Sequence, residues 1–72
     1  MKIDKFDSNT DAQRIPMARG DNETSGEKCV LSLLVDTESD YLILGLVLEF
    51  EDDEAYYVST GELISEIMNH RS

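Results

Sequence analysis

Cys29 and His70 are the only cysteine and the only histidine among 72 residues, so a cysteine–histidine nucleophile is the first chemistry to weigh. Such a pair needs contact and a third group that orients the base. Cys29 heads an apolar run and His70 closes the last helical pattern of the chain, and nothing in their spacing brings them together. A free cysteine at the head of an apolar run packs as a small hydrophobe. His70 reads more simply as a helix-end residue. The series Asp36-x-Glu38-x-Asp40 has the alternating carboxylates that open a calcium loop. Its sixth position, however, is Tyr41 where glycine is needed, and its twelfth is Val47 where a bidentate glutamate belongs. Glu49-x-Glu51-Asp52-Asp53-Glu54 attracts a divalent ion only loosely, so no metal site is expected.

Phosphate chemistry fares no better. There is no glycine-rich phosphate loop and no nucleophile elbow. The only cations are Lys2, Lys5, Arg14, Arg19, Lys28 and Arg71. Neither catalytic residues nor a cofactor are expected, and the chain does not read as an enzyme. Arg19-Gly20-Asp21 and Asn22-Glu23-Thr24 spell an integrin-type tripeptide and a glycosylation sequon, and both are chance matches in a chain expected in the cytoplasm.

What remains is charge. Residues 29–72 hold ten carboxylates against the single cation Arg71, a formal −9 of the chain's −10. A body this negative repels nucleic acid and anionic membrane and attracts basic surfaces. The excess exceeds what solubility alone asks of a small domain. Asp36, Glu38 and Asp40 form one cluster and Glu51, Asp52, Asp53 and Glu54 a second, with Glu62 and Glu66 one helical turn apart. Duplex DNA carries one charge per ~1.7 Å of axis, so a rigid display of carboxylates could occupy a groove built for phosphates.

The elements that must position these groups are legible from Cys29 onward. Cys29–Val35 and Tyr41–Phe50 read as strands joined by a polar link, which makes a hairpin. Ala55–Val58 reads as a third, short strand. Ser59-Thr60-Gly61-Glu62 matches a capping box in which the Ser59 hydroxyl takes the Glu62 amide and the Glu62 carboxylate reaches back. Leu63, Ile64, Ile67 and Met68 then share one helical face. The expected fold is α+β: a small antiparallel sheet of three strands, or four with one from the N-terminus, and one C-terminal helix packed on one face. Residues 1–28 read as a mobile or partly ordered arm in front of an acidic β-β-β-α domain at 29–72.

Alternation along Tyr41–Phe50 sets Leu42, Leu44, Leu46, Leu48 and Phe50 on one face and Tyr41, Ile43, Gly45, Val47 and Glu49 on the other. Both faces are apolar, yet one short helix covers only one of them. The second face is covered either by Ile3, Phe6, Ile15 and Met17 of the arm or by a partner.

Two functional expectations follow. The first is a small acidic cytoplasmic binding protein that docks on a basic protein surface. By analogy of type with phage and mobile-element proteins, it would inhibit a nucleic-acid-binding enzyme as a nucleic-acid mimic. Its contacts would be Asp36, Glu38, Asp40, Glu51, Asp52, Asp53 and Glu54, with Tyr56 and Tyr57 as aromatic anchors. It would touch neither nucleic acid nor membrane directly. The second is a self-associating or accessory module, a homodimer in its simplest form, working through Tyr41, Ile43 and Val47 on the second sheet face.

Overall fold

The computed structural model describes residues 1–7, 10 and 12–71. Its elements are β1 (Asp4–Lys5), β2 (Gln13–Asp21), β3 (Lys28–Asp36), a single 3-10 turn (Thr37–Ser39), β4 (Leu42–Phe50), β5 (Ala55–Ser59) and α1 (Thr60–Asn69). The five strands form one antiparallel sheet in the order β1-β5-β4-β3-β2. The fold is therefore α+β with five strands, not three or four.

The extra strand is β2, nine residues long and largely exposed. It carries no apolar alternation because it is an edge strand, held by its ladder to β3 rather than by burial. Pro16, which lacks an amide to donate, is tolerated only at such an edge. The link from β2 to β3 is a tight turn built by Asn22. Its side-chain oxygen accepts from the Thr24 amide at 2.9 Å, and its carbonyl accepts from the Gly26 amide at 2.6 Å. Gly26 takes a φ of 74°, which suits glycine.

Cross-strand partners share a face of the sheet. Arg14, Pro16, Arg19, Val30, Ser32, Leu34, Gly45, Val47, Glu49, Ala55 and Tyr57 lie on one side. Leu34, Val47 and Ala55 are buried there, with Phe6, Ala12, Leu44 and Tyr57 packed against them. This is the covered face. Phe6 and Ala12 flank the connection that carries the chain from β1 at one edge to β2 at the other. Of the arm residues expected to form a cover, Phe6 does so. Met17 is 60 % exposed at a bulge in β2, and Ile15 belongs to the opposite face.

That opposite face carries Ile15, Ala18, Cys29, Leu31, Leu33, Leu46, Leu48, Phe50, Tyr56 and Val58. These are half-buried apart from the exposed Ala18, and at the far end of the same face the register adds Val35, 2 % exposed and fully buried, opposite the exposed Ile43. Leu44 departs from the sequence-derived face because a bulge opposite Leu34 and Val35 makes it the unpaired residue of β4. It turns to the covered side, as bulges re-aim side chains.

The helix does not close the open face. None of its residues is buried, and Ile64, Ile67 and Met68 are 55 %, 63 % and 56 % exposed. The expected packing of this helix on one sheet face is limited to its start, where Leu63 is half-buried and Thr60 Oγ1 donates to the Ile43 carbonyl of β4. Its first residue, Thr60, directly follows the last residue of β5, with no linking residues to fold it back. The N-terminal cap forms, with the Glu62 amide donating to Ser59 Oγ at 3.1 Å. The reciprocal half of the box does not, since the Glu62 carboxylate accepts instead from the Lys2 amide at 3.1 Å.

The result is a slab of 36 × 35 × 19 Å. Its radius of gyration is 13.3 Å, against about 11 Å for a compact chain of this length. Its accessible surface is 5549 Å², about 1,000 Å² more than a compact monomer of this mass shows.

Candidate functional site

The two acidic turns lie at opposite ends of β4, about 30 Å apart for a nine-residue strand. Between them Glu49 is the one acidic residue of β4, and Arg14 Nη1 pairs with its carboxylate at 3.2 Å. The carboxylates therefore form two clusters rather than one continuous row.

Several of the acidic residues shape their own turns. Asp36 accepts from the Glu38 amide at 3.1 Å and from Ser39 Oγ at 2.9 Å, closing the 3-10 turn. Asp52 accepts from the Glu54 amide at 3.1 Å. Asp40 and Asp53 hold left-handed backbone, with φ of 58° and 66°, a conformation that aspartate tolerates better than most residues. Glu38, Asp40, Glu51 and Asp53 remain exposed. On the helix, Glu62 is engaged by Lys2, and Glu66 by the Met1 ammonium at 3.5 Å and by His70 Nε2 at 3.0 Å.

The two aromatic anchors part company. Tyr57 lies on the covered face, its ring 6.3 Å from that of Phe6 and its hydroxyl donating to the Leu44 carbonyl at 3.1 Å. It is a half-buried packing residue. Tyr56 lies on the open face, edge-on to Phe50 at 6.1 Å. Its hydroxyl donates to Glu54 at 2.8 Å, and this bond, with the Glu54 charge behind it, raises its pKa above the ordinary tyrosine value.

The residues expected to mediate self-association also divide. Val47 is 0 % exposed beneath Phe6 and Leu44, so its side chain is not offered to a second copy. Tyr41 and Ile43 are 59 % and 48 % exposed, with Leu42 at 56 % between them. Tyr41 keeps a φ of 60°, a strained position for an aromatic residue. Thr60 Oγ1 donates to the Ile43 carbonyl at 2.9 Å, which ties this exposed segment to the helix start.

Of the two alternatives for the second face, cover by the arm is met by Phe6 against Val47, while the leucine face expected under the helix holds a groove. The exposed apolar groove, about 200 Å³, is lined by Ile3, Leu31, Leu46, Leu48, Tyr56, Tyr57 and Val58. These residues are apolar in the sequence, but no local pattern shows that Phe6 and Ala12 pack on the other side. A larger recess of about 570 Å³ on the covered face brings Arg14, Arg19 and Lys28 against Glu49 and Glu51. There the charges largely offset one another.

Cys29 is half-buried beside Phe50 in register, and the His70 ring pairs with Glu66. Among the described residues no group of three or more His, Cys, Asp or Glu is placed to hold a metal ion. Nor is any helix among them long and apolar enough to cross a membrane. The chain matches no family model, no curated protein and no solved structure.

Proposed function

We propose that the protein is a small non-catalytic binding protein whose working surface is the open leucine face of its sheet. The observation that carries this reading is the groove of Ile3, Leu31, Leu46, Leu48 and Val58, which no helix residue lines. Fully burying a leucine-sized side chain is worth ~1.5–3 kcal/mol, and each of these is only partly buried. A monomer leaving that much unburied forgoes a sum comparable to its whole net stability. The exposed Tyr41, Leu42 and Ile43 continue the apolar surface at the helix start.

The acidic turns flank this surface rather than replace it. Glu38 and Asp40 at one end and Glu51 and Asp53 at the other set its long-range charge, which governs encounter and partner choice more than affinity. Docking by charge alone, as a nucleic-acid mimic does, suits a continuous row of carboxylates better than two clusters separated by the length of β4.

Methyl NMR with a neutral paramagnetic chelate in dilute solution tests the reading. The methyls of Leu31, Leu33, Leu46 and Leu48 should broaden strongly, while those of Leu34 and Val47 should not. Equal protection of both sets in a monomer would mean that the chain closes the face itself, and the reading would fall.

A further inference from the structure

Resting on the open-face reading, we infer that the occupant of that face is a second copy of this chain, so that two single-layer sheets form one two-fold sandwich. The chain exposes about 1,000 Å² more than a compact monomer, shared between this face and the exposed helix residues Ile64, Ile67 and Met68, and a standard stable interface takes ~800 Å² from each partner. Sheets packed face to face stand about 10 Å apart, which turns two 19 Å slabs, each with one bare side, into a body with a closed interior.

Charge placement fits a copy. On β2, β3, β4 and β5 the open face carries no carboxylate, and Lys5 of the short edge strand β1 is the charged residue in register with it. Two copies related by a two-fold axis therefore bury no opposed acids at the centre, although each has a net charge of −10. The acidic turns stay at the ends of the strands.

The free edge argues against the other common mode of sheet association. β2 places Pro16 and a bulge at Met17 along its length, with Arg14 and Arg19 on the same strand. These features discourage strand-to-strand pairing. The molecule guards its edge and leaves the leucines of its face half-exposed.

Stability points the same way. Among the described residues the buried hydrophobic side chains are Leu34, Val35, Val47 and Ala55, and the single cysteine rules out an internal disulfide. A chain this small needs a staple, and association is one of the few available. A copy of itself is the partner always present in equal amount when the chain folds.

Light scattering on the intact chain across a concentration series, in low and high salt, tests the inference. The expected mass is twice the 8.1 kDa of the chain. Because both copies are acidic, raising salt from about 0.05 M to about 0.5 M should tighten the dimer at least about threefold by screening their repulsion. A basic partner surface would show the opposite dependence. Ile3→Glu, at a position 59 % exposed and so tolerant of charge, should weaken dimerisation by about tenfold or more with the sheet intact by circular dichroism. Leu48→Glu at the centre should abolish it.

A chain that stays at 8.1 kDa throughout would overturn the inference. If its leucine methyls were then open to the chelate, the face would stand as a docking surface for another protein. If they were protected, the open-face reading would fall with it. A dimer indifferent to both substitutions would place the interface elsewhere and overturn the inference as well.

Discussion

Tyr57 lies across Gly45 on the covered face and donates its hydroxyl to the carbonyl of the neighbouring Leu44 at 3.1 Å. A Cβ on Gly45 would sit 2.7 Å from Tyr57 Cε2 and 3.0 Å from the Ser59 Cα, and the Val58 carbonyl would obstruct it as well. Gly45 is thus the gap in β4 that admits the Tyr57 ring and the close approach of β5.

Gly45→Ala should therefore lower stability by ~1–3 kcal/mol through overpacking. Tyr57→Phe, which keeps the ring and loses one hydrogen bond, should cost ~0.5–1.5 kcal/mol. Combining Gly45→Ala with Tyr57→Ala should be less than additive, because removing the ring relieves part of the clash. Urea unfolding of the parent, Gly45→Ala, Tyr57→Ala and their double variant measures this. Full additivity would mean that the Val58 and Ser59 backbone alone sets the glycine requirement.

Phe6 caps the covered face and also lies under Arg14, whose guanidinium carbon is 5.5 Å from the ring centroid. Phe6→Ala should cost about 2 kcal/mol, below the usual range for a fully buried aromatic because the ring is half-buried. Hydrogen exchange should accelerate first at Leu34 and Val47. Unchanged protection there would remove Phe6 from the cover.

The helix start depends on Ser59. Ser59→Ala should cost about 1 kcal/mol, as loss of an N-cap usually does. Glu62→Gln should change much less, since that carboxylate serves the exposed Lys2 amide rather than the cap. Thermal unfolding distinguishes the two. Equal losses would restore the reciprocal capping box.

Within the second acidic turn, neighbouring aspartates should respond oppositely. Asp52→Ala removes an acceptor from the Glu54 amide and should cost ~0.5–1.5 kcal/mol. Asp53→Gly relieves a φ of 66° and should gain about 1 kcal/mol. Charge reversal meant to test docking therefore belongs at Glu51 and Asp53, where it leaves the Asp52 bond intact. Melting temperatures shifting in the same direction would contradict this assignment.

Tyr56 gives the fold an alkaline sensitivity. Its protonated hydroxyl donates to Glu54 at 2.8 Å, so folding favours the phenol and raises its pKa above the unfolded value. The resulting stability is fully present below the unfolded pKa of about 10 and is lost as pH rises through the folded value. Glu54→Gln should return the pKa toward the ordinary value in an ultraviolet titration of the tyrosines. An unshifted Tyr56 in the parent chain would overturn the assignment.

Features that depend on neighbours along the chain are legible in the sequence. Valine- and leucine-rich runs placed β3, β4 and β5 to within a residue or two, because period-two alternation and flanking turn residues are local properties. The Ser59 cap and the two acidic turns were legible for the same reason, as was the apolar character of both sheet faces.

Tertiary structure alone decided the rest. β2 has an edge position and a backbone ladder in place of an apolar pattern, so only pairing with β3 reveals it. One unpaired residue in β4 moved Leu44 to the covered side. Phe6 and Ala12, far from Val47 in sequence, pack on its side of the sheet, leaving Val47 buried and Leu46 and Leu48 in an open groove. The helix starts directly after β5, and none of its residues lines that groove. Alternation states which residues share a face, whereas coverage depends on where distant segments cross, and no local period encodes that crossing.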